Sequence, residues 1–391
     1  MRFGWLLATA WAATSGSPSQ SRALVVIGAG EPLFNVENTV SSLEQLGNVV
    51  DVKKVEDTVE ILELGERLYD NVLVVPGSEK KLGKHLSSPV FLNFLKQGGN
   101  LVLVTGNDSS PLSIRDTALQ LGIRVAPRGV ALIDYFNSPL KASNFLAPQV
   151  CSADLNINLA GSSVAHLQES NQVSFGVIST PVTSWSLNSL VEDMGDVSEP
   201  FSFGDGYVAI SSQLLNNARF SWLGNAALLD SNSGADLLKW TFQQTGVLRI
   251  AGVNHHDIHG KSHHVYKIGE NITYCARIEQ LENGEWTPFQ GTDIQLDFRM
   301  LDPHYRVFLK PQNGQQCVTF RIPDRYGIFT FDLKYSRKGL SFLNHQTAVT
   351  IRHNANDEWA RSWTITNSWV YLSSAFVVTI GWLLFLGIYL Y

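Results

Sequence analysis

Charge and cysteine are both scarce in this chain, and the usual signatures of catalysis are missing. Lys, Arg, Asp and Glu make up 16% of the 391 residues and leave a formal net charge of -6 with no long basic run. A nucleic-acid partner is therefore not expected, because nothing supplies the positive footprint that phosphates require. No Walker sequence, nucleophile elbow or zinc-finger spacing occurs. Gly28-Ala-Gly30 follows a short apolar stretch, but position 33, where a dinucleotide turn needs its third glycine, is Leu33. A tight strand-to-helix loop is the expected reading. Three cysteines leave at least one thiol unpaired. Cys151 lacks the glycine-flanked elbow of an amidotransferase nucleophile, standing instead between Val150 and Ser152.

The last shortage is local: from Trp369 to Tyr391 there is no charged residue at all. A helix of that length rises about 35 Å, enough to cross a hydrocarbon layer of about 30 Å. Residues 369–391 are expected to be a transmembrane helix, with Trp369, Tyr371, Trp382 and Tyr389 including its interfacial aromatics. Arg2, the apolar Phe3 to Ala13 and the small residues up to Gly16 make residues 1–16 a cleavable signal peptide. Together the two segments imply a single-pass type I protein with its body outside the cytosol. The run ends at Tyr391 with no Lys or Arg beyond it, so orientation rests on the signal alone. Some 44% of residues are hydrophobic, as in a folded chain, and about 350 residues between the targeting segments suit two or three domains.

Periodicity predicts a luminal parallel-sheet α/β domain over 22–250. Strands are expected at Ala23 to Ile27, Val49 to Val52, Asn71 to Val75 and Leu101 to Thr105, and helices at Val36 to Leu46, Thr58 to Tyr69 and Ser88 to Leu95. Residues 132–216 are rich in Ser, Asn and Pro and read as irregular. Phe220 to Gly224 predicts a strand, Asp236 to Gln243 a helix and Val247 to Ile250 another strand. A His-rich linker, 251–265, follows. From 266 to 365 the period becomes two, with seven short strands and hairpin turns at Asn283-Gly284 and Asn313-Gly314, the pattern of an antiparallel β-sandwich-like domain.

Several residues invite a chemical role. Asn107-Asp-Ser and Asn271-Ile-Thr are candidate glycosylation sequons. Cys275 and Cys317 share strand parity with Thr and Arg, so they either bridge neighbouring strands or remain free thiols, and Cys151 reads as a lone thiol. His255, His256, Asp257, His259, His263 and His264 are ligand types at spacings that suit zinc or copper, but polar residues are ordinary in a loop at a domain junction and no regular element is expected to fix their geometry. Trp286 could stack on a sugar ring. Ser374 and Gly381, seven residues apart, share a helix face where a second membrane helix could pack closely, or else face lipid.

Laid end to end, Leu68 to Val75, Asn216-Asn-Ala-Arg219 with Gly224, Lys239-Trp-Thr-Phe242, Gly246-Val-Leu-Arg249, Asp293 to Phe298, Leu301 to Arg306, Ile322 to Phe329 and Ser374 to Phe376 resemble the 48-kilodalton-subunit family of the eukaryotic oligosaccharyltransferase complex. The resemblance implies a noncatalytic, scaffold-type subunit in the endoplasmic reticulum membrane. Its partners would be the other subunits, including the catalytic multi-span one, and possible contacts extend to the dolichol-linked donor or the nascent acceptor chain. No cofactor, catalytic residue or metal ligand is implied for this chain. Family members commonly carry a short Lys-containing cytosolic tail, so retention without one would depend on assembly. The readings that compete are a luminal carbohydrate-binding module and a metal-dependent enzyme using the His255–His264 stretch.

Overall fold

The computed structural model describes residues 21–28, 34–45, 47–57, 59–134, 151–152, 157–158, 162–168, 173–188, 200–282, 284–359 and 367–391. The signal segment, Gly30, Leu33, Asn283, most of the tract between 135 and 161 and the Cys151 side chain lie outside them. By its contacts the chain divides into two compact units, one of residues 1–252, 277–291 and 334–344, the other of 253–276, 292–333 and 345–391. Its class is mixed α/β, with one long apolar helix at the C-terminal end.

A nine-stranded sheet forms the first unit. Val49–Lys54, Arg22–Ile27, Asn71–Val75, Asn100–Val104 and Arg219–Leu223 lie side by side and parallel. These strands are near-continuous apolar runs because both faces are covered. Leu24, Val26, Val72, Val74, Leu101 and Leu103 pack on one side against Phe91 and Phe94 of helix α2 (Ser88–Lys96) and Ile114 of helix α3 (Leu112–Gln120). The alternate residues Val25, Leu73, Val75, Val102 and Val104 pack on the other side against Leu43 of helix α1 (Val36–Gln45) and Leu237 of helix α4 (Asn232–Thr241).

The expected all-parallel sheet is corrected to a mixed one: Tyr207–Gln213 runs antiparallel to Arg219–Leu223, and Ala165–Leu167, Ser174–Ser179 and Ile123–Val125 continue antiparallel from it. Tyr207–Gln213 is buried along almost its whole length although it carries Ser211, Ser212 and Gln213. Their polar groups are satisfied inside, Ser174 Oγ with Ser212 Oγ at 2.6 Å, Ser211 with Ser221 at 2.9 Å, and Ser221 with Thr241 at 2.6 Å. Polarity there marks internal hydrogen bonding, not a loop. The helix expected over Thr58 to Tyr69 is replaced by a hairpin, Leu62–Glu63 with Glu66–Arg67. Leu64 and Gly65 turn it with φ of 50° and 89°, and Gly65 is the residue that makes that left-handed turn cheap.

Two five-stranded sheets follow, ordered Leu248–Asp257, Asn271–Glu282, Gln315–Arg321 and Lys310–Gln312, with Glu285–Pro288 beside Asn271–Glu282, and Val265–Lys267, Leu343–Arg352, Gly327–Tyr335, Gln295–Arg299 and Pro303–Phe308. Within the second unit, Tyr274 and Phe320 of the first meet Phe298 and Phe331 of the second, with ring centroids 5.0 Å (Tyr274–Phe331) and 5.2 Å (Phe298–Phe320) apart. Edge-on and tilted aromatic pairs of this kind fill a sandwich core. Asn313 and Gly314, both at positive φ, turn the chain between Lys310–Gln312 and Gln315–Arg321. Two features depart from the alternation pattern: Val265–Lys267 pairs parallel with Leu343–Arg352, and the stretch 251–265 read as a His-rich linker is strand as far as Asp257, the last seven residues of the ten-residue strand Leu248–Asp257.

Candidate functional site

Three of the stretches quoted above come together in the first unit as a buried polar clamp. Arg219 begins its strand with a side chain that is fully enclosed, and its guanidinium donates to the carbonyls of Trp240, Thr245 (2.7 Å) and Gly246 (2.7 Å) while lying 4.7 Å over the Trp240 ring. Three carbonyls and an aromatic face substitute for water around the charge. Burial nevertheless pushes the Arg219 pKa down to about 10, which leaves it charged at neutral pH.

The same clamp fixes residues 339–342. Trp240 Nε1 donates to the Gly339 carbonyl at 2.8 Å and Gln213 Nε2 to Leu340 O at 2.7 Å. Asn217 both donates to Phe342 O (3.0 Å) and accepts from Phe342 N (2.7 Å), and Ser341 N donates to Gly246 O at 3.0 Å. Gly246, at φ 66°, brings its backbone so near this segment that a Cβ would stand 2.4 Å from Gly339 O. Only glycine fits there.

An asparagine relay runs into the clamp across the strand starts. Asn71 donates to Asn48 Oδ1 (3.0 Å), Asn100 donates to Asn71 Oδ1 (2.9 Å), and Asn100 Oδ1 accepts from Arg219 N (3.2 Å) and Gln243 Nε2 (3.0 Å). These side chains hold neighbouring strands in register and have no acid, base or nucleophile among them. The geometry is that of a brace.

Among the described residues no group of three His, Cys, Asp or Glu is placed to hold an ion. His255 Nδ1 is 2.7 Å from the Tyr266 hydroxyl and its ring stacks on Phe331, while His263 Nε2 lies 3.4 Å from Asp257. Burial, with His264 and His256 nearby, holds the His255 pKa below its ordinary value. On Trp286, one ring face is occupied: Arg249 sits 3.8 Å from the centroid and is tied to Glu279 at 2.7 Å.

Cys275 and Cys317 are register partners on adjacent antiparallel strands, and a disulfide joins them. The two sequons differ in setting. Asn271 is exposed at the first residue of its strand, whereas Asn107 is half-buried with an enclosed Oδ1 that has no hydrogen-bond partner among the described residues. Among the described residues, none of helix α5 (Ser368–Leu390) is buried. Ser374 and Gly381 are exposed on it, and a Cβ at Gly381 would meet no atom within 4 Å.

Comparison with known proteins accounts for both halves. Residues 14–244 match the model of the OST48 N-terminal domain and residues 254–391 that of the OST48 middle domain. The chain belongs to the OST48 family. Relatives of this OST48-family chain include the dolichyl-diphosphooligosaccharide–protein glycosyltransferase subunit WBP1 of Saccharomyces cerevisiae, 32% identical over 391 aligned positions that cover 93% of this chain and 90% of that one. The wbp1 subunit of Schizosaccharomyces pombe is 28% identical, covering 86% and 84%, and the 48 kDa subunit of Caenorhabditis elegans is 26% identical, covering 90% and 87%. Likeness to solved structures is slight: a ThuA-like protein from Parabacteroides merdae aligns at a TM-score of 0.30 and 11% identity, covering 57% of this chain and 90% of that one, and no argument rests on it. Within this OST48 member, sequence reasoning quoted Arg219, Trp240 and Gly246 as family-like without finding their role. Three polar residues that the fold buries, Gln213, Arg219 and Thr241, with the half-buried Asn217 between them, were the available signal.

Proposed function

We propose that this chain is a noncatalytic subunit of oligosaccharyltransferase, the complex that transfers a preassembled oligosaccharide from dolichyl diphosphate to Asn of Asn-X-Ser/Thr in nascent proteins. The observation that carries this is the OST48 likeness along both halves, with a relative 32% identical over nearly the full length of each chain. Its setting is the endoplasmic reticulum membrane, with α5 as a single span and the body of the chain in the lumen. An uncharged, predominantly apolar helix of 23 residues supports that anchor. Bond-making belongs to another, multi-span subunit, and this chain supplies folded surface around it. The brace of Arg219 and the asparagine relay suits such a role, because a scaffold must keep its own elements in register while partners pull on them. A luminal α/β domain over 22–250 and a β domain over 266–365 remain the functional divisions we assign. Close helix approach at the Ser374 and Gly381 face is the proposed contact within the bilayer.

The test is purification of the full chain from native membranes in mild detergent, with its companions identified by mass spectrometry. Transferase subunits should accompany it in fixed ratio. Recovery as a lone monomer would refute the assignment.

A further inference from the structure

Two family-like stretches, Leu301 to Arg306 and Ile322 to Phe329, take no part in the brace, and both hold large apolar side chains that the fold leaves outside. Leu301 is 87% exposed, Ile328 65% and Tyr326 64%. They are neighbours. A Cβ on Gly327 would lie 2.9 Å from Met300 Sδ, and the Tyr326 ring centroid is 4.2 Å from that of His353. His353 follows directly on strand Leu343–Arg352, and beyond it Trp359, half exposed, donates its indole N–H to Asn354 O at 3.1 Å. The reversal after Gln295–Arg299, the start of Gly327–Tyr335 and the exit from Leu343–Arg352 thus meet at one end of one sheet of the second unit. Scattered apolar residues on a surface need no explanation, but a contiguous aromatic and aliphatic group does.

The covalent chain says what lies near that group. Seven residues, 360–366, separate Trp359 from Asn367 at the head of α5. Eight peptide steps at roughly 3.5 Å each span at most about 28 Å, so the group is held within that distance of the point where α5 begins. The exit itself is braced: Arg352 and Lys267 both reach Glu358 at 2.8 Å, and Ala355 N donates to the same carboxylate. Trp369 and Tyr371 mark the upper boundary of α5, where indole and phenol rings favour the headgroup layer.

We infer that this end of the second unit rests on the lipid surface, with Leu301 and Ile328 dipping into the top of the acyl region and Tyr326 and Trp359 at headgroup level. Asp302, Asp324 and Arg325 are exposed beside them, which sets the contact as shallow and interfacial rather than deep. The inference rests on the proposed reading only through α5 being a membrane span.

The test uses the full chain with Cys151→Ser as background and one added cysteine, Leu301→Cys, Ile328→Cys or, at the exposed Lys310–Gln312 strand of the other sheet, Gln312→Cys. Each is labelled with a polarity-sensitive fluorophore and reconstituted in phosphatidylcholine vesicles, without reductant so that the Cys275–Cys317 disulfide persists. Lipid-borne nitroxide near the headgroup should quench the labels at 301 and 328 at least about threefold more than at 312, with aqueous iodide giving the reverse order. Equal iodide access at all three sites in chains that float with the vesicles overturns the inference and leaves the anchor standing. Failure to float overturns both. Iodide shielding that appears only in the assembled complex, without lipid quenching, also overturns it and assigns the patch to a protein partner.

Discussion

Replacing Arg219 by methionine should loosen residues 339–342 while leaving the parallel strands folded. The side chain is enclosed and its guanidinium serves three main-chain carbonyls, those of Trp240, Thr245 and Gly246. Methionine matches the length and apolar stem but donates nothing, so three hydrogen bonds from a charged group are lost at about 1–3 kcal/mol each, while the Gly246 and Trp240 carbonyls keep the amides of Ser341 and Gln243. Against that, the charge no longer has to be desolvated. A pKa lowered from 12.5 to about 10 corresponds to about 3 kcal/mol of penalty relieved. The difference centres on about 3 kcal/mol of destabilisation, which is about a hundredfold in a local opening equilibrium. Hydrogen exchange on the full chain reads this directly at the amides of Ser341 and Phe342, which donate to Gly246 O and Asn217 Oδ1. Protection there should fall by about two powers of ten. Arg219→Lys should fall between, because one ammonium keeps the charge but cannot face three carbonyls in the fork geometry of a guanidinium. Exchange at both amides within twofold of the parent chain in Arg219→Met would refute the brace.

Other perturbations address separate elements. Cys275→Ser with Cys317→Ser opens a crosslink of sequence separation 42; loop entropy sets the loss at no more than about 4 kcal/mol, to be read as a lowered Tm against the oxidised parent. His255 has a folded-state pKa below its ordinary 6.5 because burial disfavours the imidazolium. The unfolded chain therefore binds the proton first, so stability is complete above pH 6.5 and declines as pH falls below it. Melts at pH 7 and pH 5 should show that decline, and His255→Phe should make it shallower, leaving the share of His345, whose pKa burial also lowers. Gly381→Leu should reduce recovery of companion subunits severalfold in mild detergent while proteolysis of the two folded units is unchanged, since its Cβ meets nothing within 4 Å among the described residues; unaltered recovery would mean that face looks at lipid. Asn271→Gln should abolish a glycosidase-sensitive mobility shift that Asn107→Gln leaves in place, following the exposure of the first and the enclosed Oδ1 of the second.

Legibility in the sequence followed physical cause. Asn71–Val75 was placed to the residue because a strand buried on both faces is a pure apolar run, and the change to a period of two after 266 marked the second set of sheets because sandwich strands such as Gly327–Tyr335 alternate. Helix α3 was missed because it is short and weakly amphipathic, with Ser113, Arg115, Asp116 and Thr117 between its apolar positions. The hairpin at Leu62–Arg67 was misread as helix because Leu at positive φ is rare, and Gly65 was outweighed by the apolar residues around it. The brace was illegible for a deeper reason. The acceptors that hold the Arg219 guanidinium and secure residues 339–342 are mainly backbone carbonyls, at Trp240, Thr245, Gly246, Gly339, Leu340 and Phe342, and a carbonyl carries no side-chain identity for a sequence to display.

What the sequence determines by itself is local and additive: an uncharged terminal run long enough for a bilayer, the strand and helix periods, and the type of turn at Asn313-Gly314. Each depends on residues within a few positions of one another, so composition and spacing suffice. Only the tertiary structure decides that Tyr207–Gln213 joins the first sheet despite its serines, that Arg219 is enclosed about 120 positions before the Gly339–Phe342 segment it helps secure, and that Leu301, Tyr326 and Trp359 share one end of a sheet. Those outcomes depend on groups distant in the chain meeting under one constraint, that every buried donor and acceptor be satisfied.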